Sequence, residues 1–158
     1  MPKKIVLFDI DYTLFRTDLF KQSGLSEHKI YEEVIEVLES LKKIAILGIF
    51  SEGDLEFQNQ KLVKTDIKKY FKEIHTHIVL HKLEEIKKVF EKYRKNKIFL
   101  IDDKLSILND LKKFMPLCFG IWIKRGWYAQ NQKPIPGFQP DAQVDNLHQV
   151  VKIIRSNS

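Results

Sequence analysis

Asp9 and Asp11 follow directly on the apolar run Ile5-Val6-Leu7-Phe8, and this segment carries most of the chemistry legible in the chain. A short buried strand ending in two acids at i and i+2 presents both carboxylates to one side of its carboxyl end. Like charges that close repel, so a fold keeps them only where a cation or a reaction offsets the cost. The pattern predicts metal-assisted phosphoryl chemistry on an aspartate. Other apolar runs end in polar residues too: Ser51-Glu52-Gly53 after 44–50, His81-Lys82 after 74–80, and Asp102-Asp103 after 98–101. In open parallel sheets ligands bind beyond the carboxyl ends of the strands, so four strand ends would deliver these groups to one rim.

The charges on that rim do not balance. Asp9, Asp11, Asp102 and Asp103 stand against Lys82 alone, and an anionic phosphate could not approach without a divalent cation. Ligands that are all oxygen favour Mg²⁺ over zinc or copper. His75 and His77, with His81 close by, raise the question of zinc, but neither a cysteine nor a second clustered acid completes a set. They read as ordinary strand histidines.

The elements that must position these groups alternate. Strands are expected over 4–8, 44–50, 74–80, 97–101 and 117–123, where apolar residues run nearly unbroken. Helical spacing marks 27–43, 55–70, 81–93 and 105–114, with a final helix within 144–155. Residues 12–26 read as a loop or small flap and 124–140 as a long polar loop. Such alternation predicts an α/β fold with a parallel sheet covered by helices on both faces. At 158 residues the chain fits a single domain spanning 1–158.

Composition narrows the partners. Most of the basic residues behind the net charge of +6 are lysines spread along amphipathic helices, which reads as a solvated face rather than a nucleic-acid site. No apolar run approaches the roughly 20 residues that cross a bilayer. The single cysteine, Cys118, excludes an internal disulfide, and with only four apolar residues before Asp9 a signal peptide is not expected. A cytoplasmic location follows as the expectation.

Taken in order, these residues resemble the haloacid dehalogenase-like (HAD) hydrolase superfamily over essentially the full length. Asp9-x-Asp11-x-Thr13-Leu14 matches its first motif, Ser51 the second, Lys82 the third and Asp102-Asp103 the diacid form of the fourth. Ile123-Lys124-Arg125-Gly126 and the stretch from Pro140-Asp141 to Asn146-Leu147 are similar to the closing segments of such phosphatases. The resemblance implies a three-layer Rossmann-like fold with a central five-stranded parallel sheet in the order 3-2-1-4-5. It also implies that Asp9 is the nucleophile forming an aspartyl-phosphate. Asp11 would protonate the leaving oxygen and then activate water, with its pKa raised by the neighbouring carboxylates. Ser51 and Lys82 would hold the phosphoryl oxygens. Asp103, with Asp102 near it, would hold Mg²⁺ together with a carboxylate oxygen of Asp9 and the backbone carbonyl of Asp11. The second of the two acids is the preferred direct ligand.

Two departures from the motif set expectations of their own. Glu52 stands where a small or amide residue is common. It is expected to point away from the phosphate, with the backbone N–H groups of Glu52 and Gly53 donating to it at a helix start. Asp102 takes the place of a glycine before Asp103. Lys87 and Lys88 are alternatives to Lys82.

The gaps from Thr13 to Ile44 and from Ser51 to Lys82 hold a flap, helices and one strand, and neither has room for a cap domain. An open site would admit large phosphorylated substrates, in a monomer or a homodimer. Contacts would come from Phe15, Arg16, Phe20 and Lys21 of the flap and from Lys124, Arg125, Trp127 and Tyr128 after the fifth strand. Trp127 and Tyr128 could instead pack on the last helix. The activity expected is a Mg²⁺-dependent phosphatase; the alternative is a catalytically silent phosphate-binding or regulatory module on the same fold. A response-regulator receiver would need an acceptor aspartate ending the third strand, where Leu80-His81 stands. Asp11 suits phosphoryl transfer rather than carbon–halogen cleavage.

Overall fold

The computed structural model describes residues 2–157. Its six parallel strands are β1 (Lys4–Phe8), β2 (Ile46–Glu52), β3 (Thr76–Val79), β4 (Lys97–Asp102), β5 (Phe119–Ile123) and β6 (Ala142–Val144). They lie in the order β3-β2-β1-β4-β5-β6. The helices are α1 (Thr17–Gln22), α2 (Val34–Leu41), α3 (Leu55–Lys64), α4 (Lys82–Glu91), α5 (Leu105–Phe114), α6 (Trp127–Asn131) and α7 (Leu147–Ser156). The order 3-2-1-4-5 holds, and the count of five is corrected to six. The sixth strand has only three residues, and Pro140-Asp141 before it and Asp145-Asn146 after it make the segment read as turns. It exists because β5 offers an edge, to which Ile121, Trp122 and Ile123 pair with Ala142, Gln143 and Val144.

Strand alternation splits the core into two layers. Val6, Phe8 and Ile10 pack with Val34, Leu38 and Leu41 of α2 and with Val150 and Ile154 of α7. Ile5 and Leu7 face the other way, onto Ile86 and Phe90 of α4 and Leu108 and Leu111 of α5. β1 is thus buried on both faces and flanked by β2 and β4, which puts its carboxyl end at the centre of the rim. Two helices are shorter than their apolar spacing predicts: the one over 27–43 begins only at Val34, and the one over 55–70 ends at Lys64 and is followed by a short 3-10 turn, Lys68–Tyr70. The expected third strand opens as another such turn, Glu73–His75. Among the described residues no helix is long and apolar enough to cross a membrane.

Candidate active site

The chain leaves β1 in a tight coil. The N–H groups of Thr13, Leu14 and Phe15 all donate to the Ile10 carbonyl, and Tyr12 takes a left-handed backbone (φ 61°). The Tyr12 N–H donates to the Thr17 hydroxyl (3.1 Å) at the start of α1. Beneath the coil, the half-buried Arg125 donates to the Thr13 carbonyl and the Glu33 carboxylate, and its guanidinium lies 3.5 Å from the Tyr31 ring centre. Gly126 (φ +88°) closes the contact, since a Cβ there would sit 2.7 Å from the Tyr12 Cβ and nearer still to its ring. Arg125 is therefore a clamp under the coil and not a substrate contact. Phe15 is buried core and Arg16 is paired with Asp18, so of the four flap residues only Phe20 and Lys21 reach the cavity.

That cavity, about 300 Å³, opens over the carboxyl ends of the strands. Asp9 and Asp103 line its floor and Asp102 lies beside them off the wall, each offering a carboxylate oxygen within 4.8 Å of the others. All three are buried. Lys82, the first residue of α4, donates to Asp9 (2.9 Å) and Asp102 (2.7 Å) from a side chain that is itself buried. Lys87 and Lys88, the alternatives on the same helix, are exposed. Burial opposes the charge on Lys82, but the two acids outweigh it and raise its pKa. Burial pushes Asp9 up to about 6, against the pull of Lys82 and with the push of Asp102 and Asp11.

The two neighbouring acids of the fourth motif differ sharply. Asp102 has donors for both oxygens, Lys82 Nζ and the Lys104 N–H (2.9 Å). Among the described residues no donor meets either carboxylate oxygen of Asp103. Burial, then Asp9 and Asp102, raises its pKa to about 10. A buried carboxylate without a donor costs several kcal/mol unless a cation or proton meets it. The Asp103 carbonyl, by contrast, is fixed by Trp122 Nε1 (3.0 Å) and Gln132 Nε2 (2.6 Å). Three crowded oxygen donors, one of them orphaned, fit a hard divalent cation.

Asp11 does not join this group through its side chain. Its Oδ1 accepts from Lys61 Nζ (2.7 Å) and Thr17 Oγ1 (2.9 Å), and its Oδ2 from Gln58 Nε2 (3.0 Å). Burial would raise its pKa, but the charge and hydrogen bond of Lys61, with Gln58 and Thr17, bring it below the usual carboxylate value. The raised value expected from crowding is corrected: a cation from α3, with two further donors, outweighs burial. Gln58 also donates to Ser51 Oγ (2.9 Å), which is fully buried, while Asp54 caps α3 by accepting from the Phe57 N–H.

Glu52 and Gly53 also depart from expectation. Glu52 lines the cavity mouth, where its carboxylate accepts the Lys82 N–H (2.9 Å) and lies 3.8 Å from Lys104 Nζ. An acid at the start of α4 is favoured by the helix dipole, which explains its direction. The Gly53 N–H is spent on the Val79 carbonyl (2.8 Å) and does not face an anion. The charge tally changes accordingly, because Asp9, Asp11, Glu52 and Asp103 line the cavity beside Lys21, Lys61, Lys82 and Lys104. The need for a cation rests on the orphaned Asp103 and not on net charge.

Lys61, Gln58, Thr17 and Lys104 escaped the sequence reading. Gln58 and Lys61 stand three apart on α3 and so share a face, a signal present in the sequence but indistinguishable there from a solvated stripe. Tyr128 lines the cavity, with its ring 6.3 Å from that of Tyr12 and Lys104 4.3 Å from its centre, while Trp127 is exposed beside it. Lys124 is exposed and faces Trp122. His75 Nδ1 and His77 Nε2 both meet the Tyr93 hydroxyl (2.9 and 2.7 Å), and His81 is exposed, so the histidines gather on a phenol.

Residues 1–115 match the model of a family described as a protein of unknown function, DUF705. Every acid and lysine of the cavity lies within that span. No curated protein matches the sequence. Among solved structures, a protein described as a haloacid dehalogenase-like hydrolase from Burkholderia xenovorans LB400 is 20% identical, with a TM-score of 0.82 over 99% of this chain and 98% of its own. The HAD-hydrolase YfnB from Bacillus subtilis, solved bound to magnesium, is 14% identical, with a TM-score of 0.74 over 98% of this chain and 99% of its own. A protein described as a phosphatase from Clostridium difficile is 20% identical, with a TM-score of 0.74 over the same shares. At these identities the likeness establishes the fold, which is that of the haloacid dehalogenase-like hydrolases.

Proposed function

The chain belongs to the DUF705 family, and from its fold and the geometry of its acidic cavity we propose that it is a Mg²⁺-dependent phosphatase working through an aspartyl-phosphate on Asp9. The observation that carries this reading is the buried Asp103 carboxylate, which meets no donor among the described residues and lies beside Asp9 and Asp102. Asp103 and Asp9, with the Asp11 carbonyl, would hold the cation, while Asp102 is occupied with Lys82 and the Lys104 N–H. Bound there, Mg²⁺ supplies positive charge against the phosphoryl oxygens.

In the first step an Asp9 oxygen forms a bond to phosphorus, and the bond to the leaving oxygen breaks with its electron pair. Asp11, ionised at rest beside Lys61, relays to that oxygen the proton that a monoanionic phosphate ester brings. In the second step Asp11 takes a proton from water as the water attacks the aspartyl-phosphate, and Asp9 is regenerated. Lys82 holds phosphoryl oxygens by charge, while Ser51 is fully buried off the cavity wall, where it accepts from Gln58, the residue that also donates to Asp11. The domain spans 1–158 without a cap, and a mouth of this size suits a phosphorylated group on a larger molecule.

Purified protein is expected to release p-nitrophenolate from p-nitrophenyl phosphate with Mg²⁺, and to lose turnover with EDTA or with Asp9→Asn. Binding of phosphate without turnover would instead mark a silent module.

A further inference from the structure

Lys61 is a lysine that the fold has gone to some length to bury. Its side chain is 5% exposed, and its ammonium lies 5.3, 5.3 and 5.0 Å from the ring centres of Phe15, Phe20 and Phe57. Ammonium groups leave water at a high cost unless they are paired, and aromatic faces recover part of it. The three rings fix where the charge sits. From that cage Lys61 donates to one acceptor among the described residues, Asp11 Oδ1.

We propose that Lys61 is a positioning residue that aims the Asp11 carboxylate for proton transfer to and from the reacting phosphate ester, a role that rests on the phosphatase reading above. A carboxylate offers about four lone-pair sites, two on each oxygen. Lys61 and Thr17 fill both on Oδ1, whereas Gln58 takes one on Oδ2. The remaining site is on Oδ2, and Asp11 lines the cavity. Protons therefore pass through Oδ2: outward to the leaving oxygen as its bond to phosphorus breaks, and back from the attacking water. Thr17 and Gln58 are neutral donors, as buried as Lys61, whereas Lys61 brings the charge and is held by packing against three rings. The cage thus sets the angle at which Oδ2 meets the substrate.

The test compares leaving groups. p-Nitrophenolate departs without a proton, while the alkoxide of an alkyl phosphate must receive one. Positioned acids contribute roughly a hundredfold or more to such steps. Lys61→Met keeps the length and suits the aromatic cage. It is expected to lose about ten- to a hundredfold in kcat/KM, which stops at formation of the aspartyl-phosphate and so leaves out the water step common to both substrates, on an alkyl phosphate, and less than about threefold in kcat/KM on p-nitrophenyl phosphate. Phe57→Leu, at a partly exposed position, opens the cage without removing the charge and should shift the same ratio in the same direction by a smaller factor. Equal losses on both substrates, in either variant, would overturn the assignment. A wild type that hydrolyses neither substrate would remove the phosphatase reading and this role with it. Turnover abolished by Asp9→Asn, with no leaving-group dependence on Lys61, would remove only the role.

Discussion

Replacing Asp103 by asparagine should raise the stability of the metal-free protein and abolish its response to Mg²⁺. The carboxylate is buried, meets no donor among the described residues and faces Asp9 and Asp102. With its pKa raised to about 10, Asp103 is neutral at pH 7 only by taking up a proton on folding, a cost that asparagine of the same shape avoids, and the amide N–H groups can donate to the neighbouring acids. Relieving an unsatisfied buried polar group contributes about 1–3 kcal/mol. For a chain of this length each kcal/mol moves Tm by about 2–4 °C, so the variant in EDTA should melt about 2–12 °C above wild type. Magnesium reverses the order. At a hundred times its Kd a ligand that binds only the folded state adds about 2.7 kcal/mol, or roughly 5–11 °C here. Wild type should show that gain and Asp103→Asn little of it. Thermal melts followed by circular dichroism, with EDTA and across a Mg²⁺ series, read both effects. A variant that melts below wild type in EDTA, or that keeps the full Mg²⁺ shift, would refute the reasoning.

Lys82→Met leaves Asp9 and Asp102 without their shared cation and should cost about 3–5 kcal/mol, measured as a lower denaturant midpoint. Gly126→Ala forces a side chain into a left-handed backbone and against Tyr12, with an expected loss of about 1–3 kcal/mol in the same measurement. Burial, with Lys92 and His75, lowers the His77 pKa to about 4 from an ordinary 6.5. The unfolded chain therefore binds the proton more readily, so stability is complete above about pH 6.5 and declines as pH falls toward 4. Because the ring is partly exposed, the loss should be about 1 kcal/mol, and His77→Gln should flatten the stability profile across that window.

The parallel sheet and the floor of the site were legible because they depend on local features, whereas the strand order was implied only by the family resemblance. β1 and β4 are apolar runs that end in acids, and a parallel sheet places all strand ends on one edge. Residue type and strand position thus sufficed for Asp9, Lys82 and the diacid. β6 escaped because three residues carry too little period to be read; pairing with β5 creates it. Orientation within the site was decided only by tertiary structure. Nothing in the neighbourhood of Asp11 says that a lysine fifty residues away will hold it, that Glu52 will turn onto α4, or that Arg125 will clamp the coil from beneath. Sequence determines which groups reach the rim, because the backbone period aims them there. Which acid is left without a donor depends on how separate helices pack across the sheet, since hydrogen bonds and charges act through space and not along the chain.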